Sequence, residues 1–175
     1  MLWCAAMYFD LVMQMKKELV QIDTWFDKAN AFATEKKFDP NVFLGVRLAP
    51  DQFAFARQVQ LACGTVTGGV AHLTGREAKA FPDDQKTLDD LRAVVKAVVE
   101  HLGSFTAKDF DGAATRTITT PRWQGKTMTG HDYFVEHFLP NFFFHLSHAY
   151  AILRHNGVPL GKSDYLGART MKAPA

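Results

Sequence analysis

Cysteine is nearly absent: the 175-residue chain carries two, Cys4 and Cys63, far apart and outside any C-x-x-C pair. Such spacing excludes a zinc knuckle and a thioredoxin-like motif, and a reducing, cytoplasmic setting is the expectation. Charge of one sign is scarce too. The formal net charge is +2 and no run of Lys or Arg exceeds two residues, so the basic footprint of a nucleic-acid binder is missing. Long apolar runs are lacking: the opening M-L-W-C-A-A-M-Y-F meets Asp10 after nine residues, with no basic region ahead of it. It reads as neither a signal peptide nor a membrane span. G-x-S-x-G, a Walker-type loop, G-x-G-x-x-G, E-x-x-H and H-E-x-x-H are all absent, which removes the hydrolase, nucleotide and dinucleotide signatures and the carboxylate-bearing helical metal motifs. No repeat, low-complexity tract or boundary divides the chain, so residues 1–175 read as one domain, long enough to bury a full core.

What is present is helical periodicity and phenylalanine. Hydrophobic residues make up 47% of the chain and 15 are Phe. From about Leu2 to Ala33, Tyr8, Leu11, Val12, Met15, Leu19, Ile22, Phe26 and Ala29 recur at three and four residues, the pattern of an amphipathic helix. A proline-bearing loop with Phe38, Phe43 and Leu44 follows and is placed to roof a pocket. A second helix is expected from Pro50-Asp51 to Leu73. One of its faces is plain core, and the other carries Arg57, Gln60, Gly64, Thr67, Gly68 and Ala71. Several glycines on one helical face point to close approach of another backbone or a ligand, because each weakens the helix by up to about 1 kcal/mol. Thr87-Leu88-Asp89-Asp90 starts a third helix with a capping box in which Asp replaces the usual Glu or Gln. The threonine-rich stretch around P-R-W-Q-G leaves room for a short hairpin, Thr115 to Thr120 with Lys126 to Thr129. One long helix is expected from Thr129 to Asn156, kinked at Pro140, and beyond Gly157 the tail reads as loop.

The last long helix is apolar on nearly every side, so its polar stripe needs partners. His137, Asn141, His145 and His148 share that stripe. One reading is a divalent-metal site of zinc, nickel or manganese, held by His145, His148 and a residue of another helix. A second is a hydrogen-bonded polar layer in the core or at a dimer interface. A third is a ligand pocket in which Arg57 and Gln60 join Asn141, His145 and His148, with the guanidinium suited to carboxylate or phosphate. Trp123 and Tyr165, large residues in loops, read as packing anchors.

Three segments, R-L-A-P-D-Q-F-A-F-A-R-Q-V-Q-L-A-C, L-P-N-F-F-F-H and A-Y-A-I-L-R-H-N-G-V-P-L-G-K-S-D-Y-L-G, resemble a family of unknown function within the DinB-like superfamily, and the similarity runs from Tyr8 to Gly167. The resemblance implies an all-α, DinB-like four-helix bundle in up-down-down-up order with a long crossover, commonly a homodimer. It also implies a divalent ion held by three histidines, one on the second helix and an H-x-x-x-H pair on the fourth, in a superfamily that includes thiol-dependent transferases. In this chain the second histidine of the pair matches His145, the first falls on Asn141, and the second-helix position falls near Gln60 or Leu61. Two of three ligands are replaced. The function expected is therefore a small-molecule-binding bundle with a degenerate metal site. The alternatives are a divalent-metal-dependent transferase or hydrolase using His145 and His148, and a structural homodimer without a ligand. No nucleic-acid or membrane partner is expected.

Overall fold

The computed structural model describes residues 4–172. Four long helices form a bundle: α1 (Ala5–Lys36), α2 (Phe55–Thr74), α3 (Leu88–Leu102) and a last rod, α4. The rod α4 joins an α turn, Gly130–Asp132, a π-helical segment, Tyr133–Phe138, and an α segment, Leu139–His155. A short helix α5, Lys162–Leu166, closes the described chain. Strands β1 (Thr117–Ile118) and β2 (Met128–Thr129) pair antiparallel inside the α3–α4 crossover, Thr117 opposite Thr129, as the threonine-rich stretch predicts.

The apolar stripe of α1 is buried as its period demands, with Tyr8, Val12, Met15, Leu19, Ile22 and Phe26 all shielded from solvent. It packs mainly on α3, while α2 packs mainly on α4. The α2–α4 contact is tight at one point: a Cβ on Gly69 would lie 2.5 Å from the ring of Phe138. Two other glycines of α2 differ, since a Cβ on Gly64 or Gly68 would meet nothing within 4 Å.

The α3 capping box closes in full. Thr87 Oγ1 accepts from the Asp90 amide at 3.0 Å and Asp90 Oδ2 accepts from the Thr87 amide at 2.9 Å. Asp is thus long enough for the return bond.

Three boundaries differ from the periodicity. Helix α2 starts at Phe55 rather than Pro50-Asp51. The Phe55 amide donates back to Val46 O at 2.9 Å and Gln58 Nε2 donates to Phe53 O at 3.3 Å, which holds the chain extended up to Ala54. Around Pro140 the irregularity takes the form of the π segment just before it. Proline has no N–H to give its i−4 carbonyl, and a widened turn absorbs the mismatch. The tail is not all loop: Asp164 Oδ2 accepts from the Gly161 amide at 2.7 Å and nucleates α5. That short helix docks on α1, where Trp25 Nε1 donates to Asp164 O at 3.0 Å, Lys28 pairs with the Asp164 carboxylate at 2.8 Å, and the Trp25 and Tyr165 rings stack 6.1 Å apart. Tyr165 is the packing anchor the sequence suggests.

The contrast among the α2 glycines is testable by chemical denaturation. Gly69→Ala should destabilise by about 1–3 kcal/mol, because the buried Phe138 ring must move. Gly64→Ala and Gly68→Ala should be neutral or stabilising by up to about 1 kcal/mol. Equal stability of Gly69→Ala and Gly68→Ala would show that the α2–α4 spacing is not set at that contact.

Candidate functional site

Alongside the Gly69–Phe138 contact, α2 and α4 border a cleft of about 550 Å³. Helix α2 supplies Arg57, Leu61, Gly64, Thr65, Gly68 and His72 as one wall. The opposite wall comes from α4, through Tyr133, His137, Asn141 and His145. The roof is the crossover segment Thr120 to Trp123, with Phe53 at the mouth. The loop after α1, expected as the roof, instead forms a turn of 3₁₀ helix at Pro40–Gly45 that buries Phe43 and does not line the cleft.

The π segment explains how α4 builds its wall. Residues spaced by four drift about 40° per step around a regular α-helix, so four of them would spiral off one face. Widening the turn at Tyr133–Phe138 offsets that drift and keeps Tyr133, His137, Asn141 and His145 on the cleft. His148, three residues past His145, leaves the stripe. Its Nδ1 bonds Phe144 O at 2.7 Å, its ring packs on Phe144 at 4.0 Å, and it does not line the cleft.

Gln60 also stands apart. It accepts from Arg57 Nη1 at 3.2 Å and donates to Asp83 O at 3.0 Å and Gln85 Oε1 at 2.9 Å, tying α2 to the loop that follows it. Arg57 reaches the cleft mouth, held by Asp83 Oδ2 at 3.0 Å. Of the five residues grouped by sequence, the structure brings Arg57, Asn141 and His145 together on one cleft and leaves Gln60 and His148 outside it.

His145 has a defined tautomer when neutral. Gln58 Nε2 donates to a carbonyl, that of Phe53, so Oε1 is the atom facing His145 Nδ1 at 2.8 Å, and the ring must donate there. Nε2 is then left as the acceptor. Both Gln58 and His145 are buried, and burial, then the charges of His148 and Arg57, hold the imidazole below its ordinary value. His72, in edge contact with the Tyr133 ring at 5.5 Å, is lowered by burial and then by His137. Burial pushes the Tyr133 phenol up to about 12.

Four residues escape the sequence pattern. Gln58 sits at a core-facing position of α2, His72 lies near its end, Tyr133 depends on the π turn, and Trp123 comes from the crossover to close the cleft. Trp123 packs edge-on to Tyr133 at 6.0 Å and to His137 at 5.8 Å. It is at once a packing anchor and a wall of the site.

The donors do not suit a divalent ion. Asn141 Nδ2 donates to Thr65 Oγ1 at 2.8 Å, and His145, whose Nδ1 is held by Gln58, presents Nε2 alone to the cleft. Among the described residues no group of three His, Cys, Asp or Glu stands close enough to hold one. Zinc sites take three or four such side chains. The side chain of α2 that meets His145 is the amide of Gln58, neither Gln60 nor Leu61.

Residues 7–166 match the family described as a domain of unknown function, DUF1993. The chain belongs to that family. A solved structure, the crystal structure of a DinB family member protein from Shewanella denitrificans at 1.83 Å resolution, is 50% identical, covers 97% of each chain and superposes with a TM-score of 0.94. The DUF1993 chain is thus similar to a DinB family member over its whole bundle, as the three sequence segments imply. No curated protein matches it. Among the described residues no helix is long and apolar enough to cross a membrane.

Both depressed histidines make stability depend on pH. In the unfolded chain each takes up its proton near the ordinary 6.5, and in the fold only at lower pH. The unfolded state therefore binds more protons in that interval, so their contribution is full above pH 6.5 and is lost as pH falls below it. His145→Gln and His72→Gln should each flatten the fall in unfolding free energy between pH 7 and 5, by at most about 1.4 kcal/mol per pH unit per histidine. Parallel pH profiles for wild type and both variants would show that neither imidazole is kept neutral by the fold.

Proposed function

We propose that this DUF1993 chain is a small-molecule-binding bundle in which the superfamily's ion site has degenerated to one histidine, His145, hydrogen-bonded to an amide. The single observation that carries this reading is the space at Gly64 and Gly68. Both lie inside α2, where glycine costs up to about 1 kcal/mol relative to alanine. Nothing in the described chain fills the room they leave, and both line the cleft. Packing explains Gly69; it does not explain these two. A ligand lying against the bare helix backbone does. The volume, about 550 Å³, falls in the range of roughly 300–1,000 Å³ typical of small-molecule sites.

His145 supplies a fixed neutral acceptor, Nε2, for a ligand O–H or N–H, and Arg57 a cation at the mouth. The aromatic rings of Trp123 and Tyr133 supply apolar area. A metal-dependent transferase or hydrolase draws no support from this donor set.

The test is a thermal-shift screen run in parallel on wild type and Gly68→Leu. A Cβ at Gly68 meets nothing within 4 Å, so the leucine starts into open cleft space and the variant should stay folded, which its own melting curve checks. A compound at about 100 times its dissociation constant should stabilise wild type by about 2.7 kcal/mol and leave Gly68→Leu unmoved. Undiminished shifts in a folded Gly68→Leu would place the binding elsewhere.

A further inference from the structure

The cleft is lined without acid. The chain has 18 Asp and Glu, yet none is among the residues that line it, while two arginines and three histidines are. The pattern continues into the two adjoining depressions. One shares Gly68 and His72 with the cleft and adds Arg76 and Arg116; the other shares Arg122 and Trp123 and adds Lys126. Neither has an acidic lining residue.

The two cleft arginines differ in how their charge is spent. Arg57 is partly neutralised by Asp83 at 3.0 Å. Arg122 stands in the turn Pro121–Trp123 that roofs the cleft and makes no hydrogen bond or ion pair with the described residues. A guanidinium with no protein partner, on a cleft that also has aromatic lining, keeps its donor fork for a planar anion. Arg57 acts on His145 as well, since after burial and His148 it helps to hold that imidazole below its ordinary value.

We propose that the ligand of this cleft is an organic acid, a carboxylate on an aromatic or aliphatic body, with its charge met first by Arg122 and second by Arg57 and its body against Phe53, Trp123 and Tyr133. The inference rests on the cleft being a ligand site and adds the sign of the ligand's charge. An amine would meet two guanidinium groups and no carboxylate among the lining residues. A neutral ligand would leave the Arg122 guanidinium solvated and unused. The bare backbone at Gly64 and Gly68 sets where the apolar body lies.

The experiment is calorimetric titration with matched triplets, each a carboxylic acid, its amide and the corresponding amine, on phenyl, indolyl and alkyl bodies of six and eight carbons. Wild type, Arg122→Gln, Arg57→Gln and Gly68→Leu are compared, each checked for folding. The acid of at least one triplet should bind about tenfold more tightly than its amide, the amine weakest, which is the effect of one charge-assisted contact. Arg122→Gln should remove most of that advantage and leave amide affinity unchanged, Arg57→Gln should remove less, and Gly68→Leu should weaken acid and amide alike. Acids binding no better than their amides, or an acid advantage that survives in both arginine variants, would overturn the charge assignment while leaving the cleft a ligand site. Acid binding that survives in Gly68→Leu would overturn the location. If no member of any triplet binds wild type, the ligand-cleft reading and the acid assignment fail together.

Discussion

Everything about the site depends on how closely α2 and α4 approach at Gly69 and Phe138. A glycine there lets an aromatic ring lie against the α2 backbone, and that contact sets how near the two helices come at this level. The helices also meet through Asn141 with Thr65 and His145 with Gln58. Beside this seam Gly64, Gly68 and Thr65 offer little volume, and a cleft results. Fold and site are thus two outcomes of one spacing.

The π turn is the second constraint. A chain placing Tyr133, His137, Asn141 and His145 at intervals of four carries them progressively around a regular helix, by about 40° at each step. The wider turn ahead of Pro140 keeps them facing α2. This irregularity couples backbone hydrogen bonding to site geometry, so a residue with no ligand contact, Pro140, takes part in shaping the wall.

Most of the bundle is legible in the sequence, because core-forming helices follow a simple rule of three and four. Tyr8 to Ala29 on α1 and Leu88 to Leu102 on α3 obey it, and the start of α3 follows from its capping box, whereas α1 runs on to Lys36, past the expected Ala33. The site is legible only in part, since it depends on exceptions. Arg57, Asn141 and His145 are visible as polar residues on helical faces. His148 is drawn into the same stripe by a wheel that assumes a constant turn, and Gln60 by proximity in sequence. Gln58 is hidden because it occupies a core position of α2, where an apolar residue is expected, and only the meeting with His145 across the helices gives it a role. Trp123 is visible as a packing anchor, but its place on the cleft is hidden because nothing in its neighbourhood specifies which way the crossover folds.

The clasp between α5 and α1 has a consequence for how the molecule comes apart. Chain ends ordinarily fray first, since their backbone is least tied down. Here Trp25, in the middle of the longest helix, is covered by the last ordered helix through its indole N–H, an ion pair beside it and a stacked tyrosine. Residues 162–166 thus act as a strap across α1, and losing the strap would bare the Trp25 indole, so local opening of this short helix is coupled to the middle of the longest helix.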